Sequence, residues 1–235
     1  MNLFKSFFVR MFFPITLLIL LPFLYLVMRY KFQDKVGVRK KFADIMRQRG
    51  QKPMIVAPNH LTKIDSILLQ IACVSSTDLF TKYSWVFWHV LDPINLPFLC
   101  PVLKVIPISR MGERKQVQQI KEKIKSHLQR GDLVVIFPEG SRSQTGKVDT
   151  ENFQYGIGEI IQEIPNASVL CAYIRGKRQH HKSSIPSHAE TLDVSLKVIE
   201  PMATSQGLRG AREISRQVIG TLQQMEEDYF ASCRK

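Results

Sequence analysis

Cysteine is scarce in this chain, with four in 235 residues. Cys73, Cys100, Cys171 and Cys233 lie far apart and form no CxxC pair. That spacing excludes a zinc ribbon or a disulfide framework and suits a reducing compartment. Acidic side chains are also in deficit: 20 Asp and Glu face 33 Lys and Arg, a formal charge of +13. Such an excess needs an anionic partner, either nucleic acid or the negative face of a membrane. No internal repeat, heptad array or low-complexity tract is present, which removes solenoid, coiled-coil and disordered readings. A GxSxG elbow is missing as well, so no serine stands out as a nucleophile.

What is present begins with an apolar run. From Met11 to Met28 the chain reads "MFFPITLLILLPFLYLVM", without a charge, between Lys5 and Arg10 on one side and Arg29, Tyr30 and Lys31 on the other. The run is at the short end of spanning length. A cleaved secretory signal is the competing reading, but basic residues follow the run and no small-residue cleavage pattern does. Pro14 and Pro22 leave open both a kinked span and a helix dipping into one leaflet. The basic stretch from Arg29 to Lys41 would rest on anionic headgroups and keep the rest of the chain cytoplasmic. The expected organisation is an anchoring, amphipathic segment over 1–49 and one α/β domain over 50–235, long enough to bury a core.

Apolar periodicity outlines that domain. Residues 35–49 read as a polar helix stopped by Gly50. "PMIVA" (53–57) has strand length, and "IDSILLQIACV" (64–74) has helical spacing. "KVIPISR" (104–110) reads as a strand, with Pro107 placing it at an edge or an end. Val117, Ile120, Ile124 and Leu128 recur at steps of three and four before Gly131, the clearest amphipathic helix in the chain. "DLVVIF" (132–137), "ASVLCAYI" (167–174) and the alternating "LDVSLKVI" (192–199) read as strands. Leu208, Ala211, Ile214, Val218, Leu222 and Met225 mark a closing helix. Strands alternating with helices imply a mixed, largely parallel sheet flanked by helices, with loops for binding at the carboxyl ends of the strands.

Two polar loops follow apolar strands: "NHLTKID" after "PMIVA", and "PEGSRS" after "DLVVIF". His60 and Asp65 are five residues apart, about 500° on a helix, so within one helix their side chains would diverge by about 140°. With His60 in a loop and Asp65 in the first helical turn, they can share a hydrogen bond. Imidazole is the natural general base near neutrality, and a carboxylate can fix its tautomer. With no protein nucleophile in sight, the attacking group is the substrate's own hydroxyl. Arg110 and Arg142 each follow a strand and suit phosphate, which the guanidinium fork fits. Glu139 would orient an arginine or accept a hydrogen bond from a substrate hydroxyl.

Together these blocks resemble the glycerolipid acyltransferase family that includes the 1-acylglycerol-3-phosphate acyltransferases. "NHLTKID" matches its NHxxxxD block at Asn59, His60 and Asp65. "FPEGSRS" matches its FPEGTRS block from Phe137 to Ser143, with serine for threonine. "VIPISR" is similar to its arginine block at Arg110, and "ENFQYGIG" to its FKxG segment at Phe153 and Gly156. The similarity covers roughly 50–175. Departures fall at Lys104 (usually glycine), Ser109 (usually aspartate) and Gln154 (usually lysine), and the expected proline near Cys171 is missing. The resemblance implies acyl transfer from a thioester, on coenzyme A or acyl carrier protein, to a lysophospholipid hydroxyl, with no other cofactor. His60 and Asp65 would be catalytic, and Asn59, Arg110, Glu139, Gly140, Ser141 and Arg142 would bind substrate. Rival readings are an acyltransferase for a different amphiphilic acceptor, a thioester hydrolase using the same pair, and a basic membrane adaptor without activity. The stretch "RGKRQHHKSSIPSH" (175–188) lacks the ligand spacing of a metal site and the aromatic residues of a nucleic-acid platform, so a solvated basic loop near headgroups is expected there.

Overall fold

The computed structural model describes residues 20–75, 78, 84–90, 105–108, 114–164 and 166–234. Within them the strands are β1 (Lys31–Phe32), β2 (Met54–Pro58), β3 (Trp85–Val90), β4 (Val105–Ile108), β5 (Leu133–Ile136), β6 (Ser168–Gly176) and β7 (Thr191–Ile199). The helices are α1 (Lys35–Arg49), α2 (Asp65–Cys73), α3 (Arg114–Gln129), α4 (Gly156–Gln162) and α5 (Gly207–Cys233). One sheet runs in the order β1-β7-β6-β2-β5-β3-β4. All neighbours are parallel except β6 and β7, which run antiparallel from Val169↔Ile199 to Gly176↔Leu192.

The central strand shows why the sheet is covered on both faces. Every residue of β2 is buried, because β5 and β6 flank it and helices lie above and below. Successive side chains alternate faces. Met54 and Val56 join Phe42, Leu68 and Leu69 of α1 and α2, while Ile55 and Ala57 join Ile124, Ile157 and Val218 of α3, α4 and α5. A run of apolar residues without alternation is what burial on both faces requires, with about 1.5–3 kcal/mol for each large side chain removed from water. On α3, Ile124 and Leu128 are fully buried, as the helical spacing predicts.

Several expectations need correction. Leu208, assigned to the core face of the closing helix, is 64% exposed in the first turn of α5, while Ala211, Ile214 and Val218 are buried. Neither β3 nor α4 is anticipated from the sequence reading. Helix α4 carries Gly156 and Gly158, poor helix formers, and exists because of packing. A Cβ on Gly158 would lie 1.9 Å from the Ala211 carbonyl oxygen, so only glycine lets α4 and α5 approach this closely. Of the apolar run Met11–Met28, residues 11–19 lie outside the described residues, and the remainder forms a short helical stretch with a π-turn at Phe23–Val27. Among the described residues no helix is long and apolar enough to cross a membrane.

Candidate functional site

The loop after β2 is shaped by its own side chains. Asn59 continues the β2–β6 ladder through its backbone N–H, which donates to Ala172 O at 3.2 Å. Its amide then closes on Ile174 of β6: Nδ2 donates to Ile174 O at 3.0 Å, and Ile174 N–H donates to Oδ1 at 2.7 Å. Both polar ends of Asn59 are thus used in fixing the loop.

Asp65 begins α2, as expected, and gathers the loop around its carboxylate. Oδ2 accepts from the N–H groups of Leu61 at 2.6 Å and Thr62 at 2.7 Å, and lies 3.1 Å from His60 Nδ1. Oδ1 accepts from the Thr62 hydroxyl at 2.5 Å. Three donors are thus drawn onto this one carboxylate. Its charge favours the tautomer with the His60 proton on Nδ1, which puts the lone pair on Nε2. Thr62 is absent from the sequence reading, although "TKID" carries the [ST]xx[DE] signature of a capping box. The helix nevertheless starts at Asp65 with Ile64 at its N-cap, so the Asp65 bond to Thr62 N–H closes the preceding turn and is not a capping box.

The loop after β5 comes to the same edge. Phe137 stacks on the His60 ring with centroids 4.0 Å apart. The backbone of His60 joins both ends of "PEGSRS": its N–H donates to Glu139 Oε1 at 2.9 Å, and its carbonyl accepts from Ser143 N–H at 2.8 Å. Gly140 turns the chain with φ +67°, and a Cβ there would meet Gln154. Gln154 N–H in turn donates to Pro138 O at 2.8 Å, so the "ENFQYGIG" segment packs beneath this loop. Ser141 is exposed, and Arg142 donates from Nη1 to Ser183 O at 2.8 Å. Arg110, Lys104 and Ser109 lie outside the described residues.

Glu139 takes a different place from the one read in the sequence. It is 4% exposed and supports the backbone of His60, with no arginine as its partner among the described hydrogen bonds and ion pairs. Burial pushes its carboxyl up to about 8, the His60 and Asp149 backbone groups offset this only partly, and the carboxylates of Glu226 and Asp149 push it further up. Behind the loop, Arg175 of β6 donates to Gly146 O at 2.6 Å and lies 3.5 Å from Glu226 of α5. Glu226 accepts from Tyr173 OH and Val148 N–H, which ties residues 146–148 to the core. Among the described residues no group of three or more His, Cys, Asp or Glu could hold a metal ion.

A buried imidazole–carboxylate pair is thus bonded, through the backbone of His60, to the loop that carries Gly140 and Arg142. A family model, Acyltransferase, matches residues 35–175. The chain belongs to the Acyltransferase family. Its members transfer acyl groups, so this protein is an enzyme with an acyl donor and an acyl acceptor. The match takes in both polar loops, β2 to β6, and also α1, whose Val38, Phe42 and Met46 pack into the common core. No curated protein matches the chain.

Proposed function

We propose that this acyltransferase moves a fatty acyl group from an acyl thioester, on coenzyme A or acyl carrier protein, to the hydroxyl of a lysophospholipid, with 1-acylglycerol-3-phosphate as the foremost acceptor. The observation that carries the reading is the single edge shared by the His60–Asp65 pair and the loop bearing Arg142, joined by the Ser143 N–H to His60 carbonyl bond. His60 Nε2 removes the proton of the acceptor hydroxyl as its oxygen attacks the thioester carbonyl. The C–O bond forms, the tetrahedral intermediate collapses, the C–S bond breaks, and the imidazolium returns the proton to the departing thiolate. Asp65 stabilises the imidazolium between these transfers. Arg142, with Arg110, holds the acceptor's phosphate, and Gly140 and Ser141 let the acceptor approach the loop. No further cofactor takes part, and nucleic acid is not a partner. The protein works at a membrane, with its main domain on the cytoplasmic face.

The experiment is mass spectrometry of lipids formed by the purified full chain offered mixed acyl thioesters and a panel of lysolipids. Acylated lipid that depends on His60 supports the reading, and thiol release without acylated lipid assigns hydrolysis instead. His60→Ala lowers the acylation rate by at least about a hundredfold, the contribution of a general base, while the protein stays folded. An unchanged rate removes His60 from the role of general base.

A further inference from the structure

The antiparallel step at β7 decides what lies beside the active site. The loops after β2, β5 and β6 leave the sheet at one edge, and β7, antiparallel to β6, starts there. Strand β1 is parallel to β7, with Lys31 opposite Thr191, so the chain before β1 also arrives at that edge. The described end of the apolar run, residues 20–28, therefore meets the fold on the side of His60.

Residues 177–190 cross this edge as a strap. Ser183 N–H donates to Leu61 O at 3.0 Å, and Lys63 N–H donates to Ser184 O at 3.1 Å, on either side of the Thr62↔Ser183 bridge. Arg142 holds Ser183 O, and Lys182 holds Gln144. The far end is fastened to the N-terminal segment, where Tyr30 OH donates to Pro186 O at 2.7 Å and Ala189 N–H donates to Met28 O at 2.8 Å. One bonded unit thus includes the catalytic loop, the arginine loop, the strap and the chain that follows the apolar run.

Its outer surface has two kinds of side chain. Lys177, Arg178, His180, His181, Lys182 and His188 are exposed, and residues 177–188 contain no acid. Among them Ile185 is 43% exposed, and across the Tyr30 and Met28 bonds Phe23, Leu26 and Val27 are 43%, 76% and 57% exposed. Cations around outward apolar side chains suit a surface that is anionic outside and hydrocarbon beneath.

We infer that the strap is the surface by which this enzyme sets its catalytic edge on an anionic lipid bilayer, with Lys177, Arg178 and Lys182 among the headgroups and Ile185 reaching the acyl boundary. The inference deepens the lipid-acceptor reading and rests on it. Because the strap is laddered to the His60 loop, a headgroup lifted from the bilayer meets Arg142 and His60 without leaving the surface.

The test is the full chain carrying Ile185→Trp, reconstituted into vesicles of neutral or phosphatidylglycerol-containing lipid with brominated acyl chains. The expected result is blue-shifted emission and quenching at least about twice that of the wild type in anionic vesicles, reduced in neutral ones. Lys177→Glu with Lys182→Glu in the same background reverses the gain, and His60→Ala leaves it intact. Quenching no greater than that of the wild type in vesicle-bound protein overturns the inference, as does equal quenching in neutral and anionic vesicles. So does a strap shielded by single-stranded RNA and untouched by bromolipid. Acyl transfer without strap quenching removes the surface and keeps the function, whereas quenching without transfer to any lysolipid removes the function and keeps the surface.

Discussion

Replacing Glu139 by glutamine tests whether a neutral side chain belongs under His60. Glutamine keeps an oxygen to accept the His60 N–H, 2.9 Å from Oε1, and removes the ionisable proton. The wild-type carboxyl is pushed from 4.5 up to about 8 when folded, chiefly by burial. The native state therefore binds this proton more tightly than the unfolded chain. Its stabilising contribution is complete below 4.5, falls as pH rises, and is gone once pH passes about 8. At about 1.36 kcal/mol per pH unit, that interval amounts to about 5 kcal/mol at most. Chemical denaturation of both proteins in mild micelles, at about pH 5 and about pH 8.5, reads the difference directly. The gap should move in favour of Glu139→Gln by several kcal/mol at the higher pH, with acyl transfer near neutrality retained. A gap that is the same at both pH values would refute the argument, since the carboxyl would then be ionised and tolerated at its site.

Three further outcomes follow from the same loops. Asp65→Asn slows turnover by on the order of a hundredfold or more with acceptor KM nearly unchanged, because it removes the charge that stabilises the imidazolium; steady-state kinetics check this. Arg142→Ala raises acceptor KM by about tenfold, the worth of one charge-assisted contact, and an unchanged KM would argue against a phosphate role. Asn59→Ala leaves the N–H and C=O of buried Ile174 without their side-chain partners and costs about 2–4 kcal/mol in a thermal melt. Because His60 follows directly, its kcat falls more than its KM rises.

The sequence carries the site further than it carries the sheet. The His60–Asp65 hydrogen bond follows from a local argument, since one loop and one helical turn separate the residues and the apolar patterns on either side fix both. Core assignments on α3 and most of α5 are legible for the same reason: period and burial coincide when one face is covered. The role of Glu139 is hidden, because its partner is a backbone group 79 positions away and no side-chain pattern marks such a bond. Helix α4 is hidden because Gly156 and Gly158 speak against helix locally while the close approach of α5 demands Gly158. Strand β3, "WVFWHV", has β-branched and aromatic residues throughout, so its signal was available, but nothing in its spacing says that it lies between β5 and β4.

The direction of β7 has the largest consequence and the weakest local signature. Its alternating burial is what any strand with one covered face would show, parallel or antiparallel. Had β7 run parallel to β6, residues 177–190 would have had to return across the sheet, a path normally taken by a helix packed on one face. "KRQHHKSSIPSHAE" cannot make that helix: Pro186 interrupts it, and Ile185 is the chain's one large aliphatic side chain there, too few for a buried face. A polar segment of this length has only the edge to cross, so β7 must reverse. The reversal brings Ser183 to Leu61 and Arg142, and the same polarity that forbids a crossover leaves the cations of the strap facing outward beside the His60 loop.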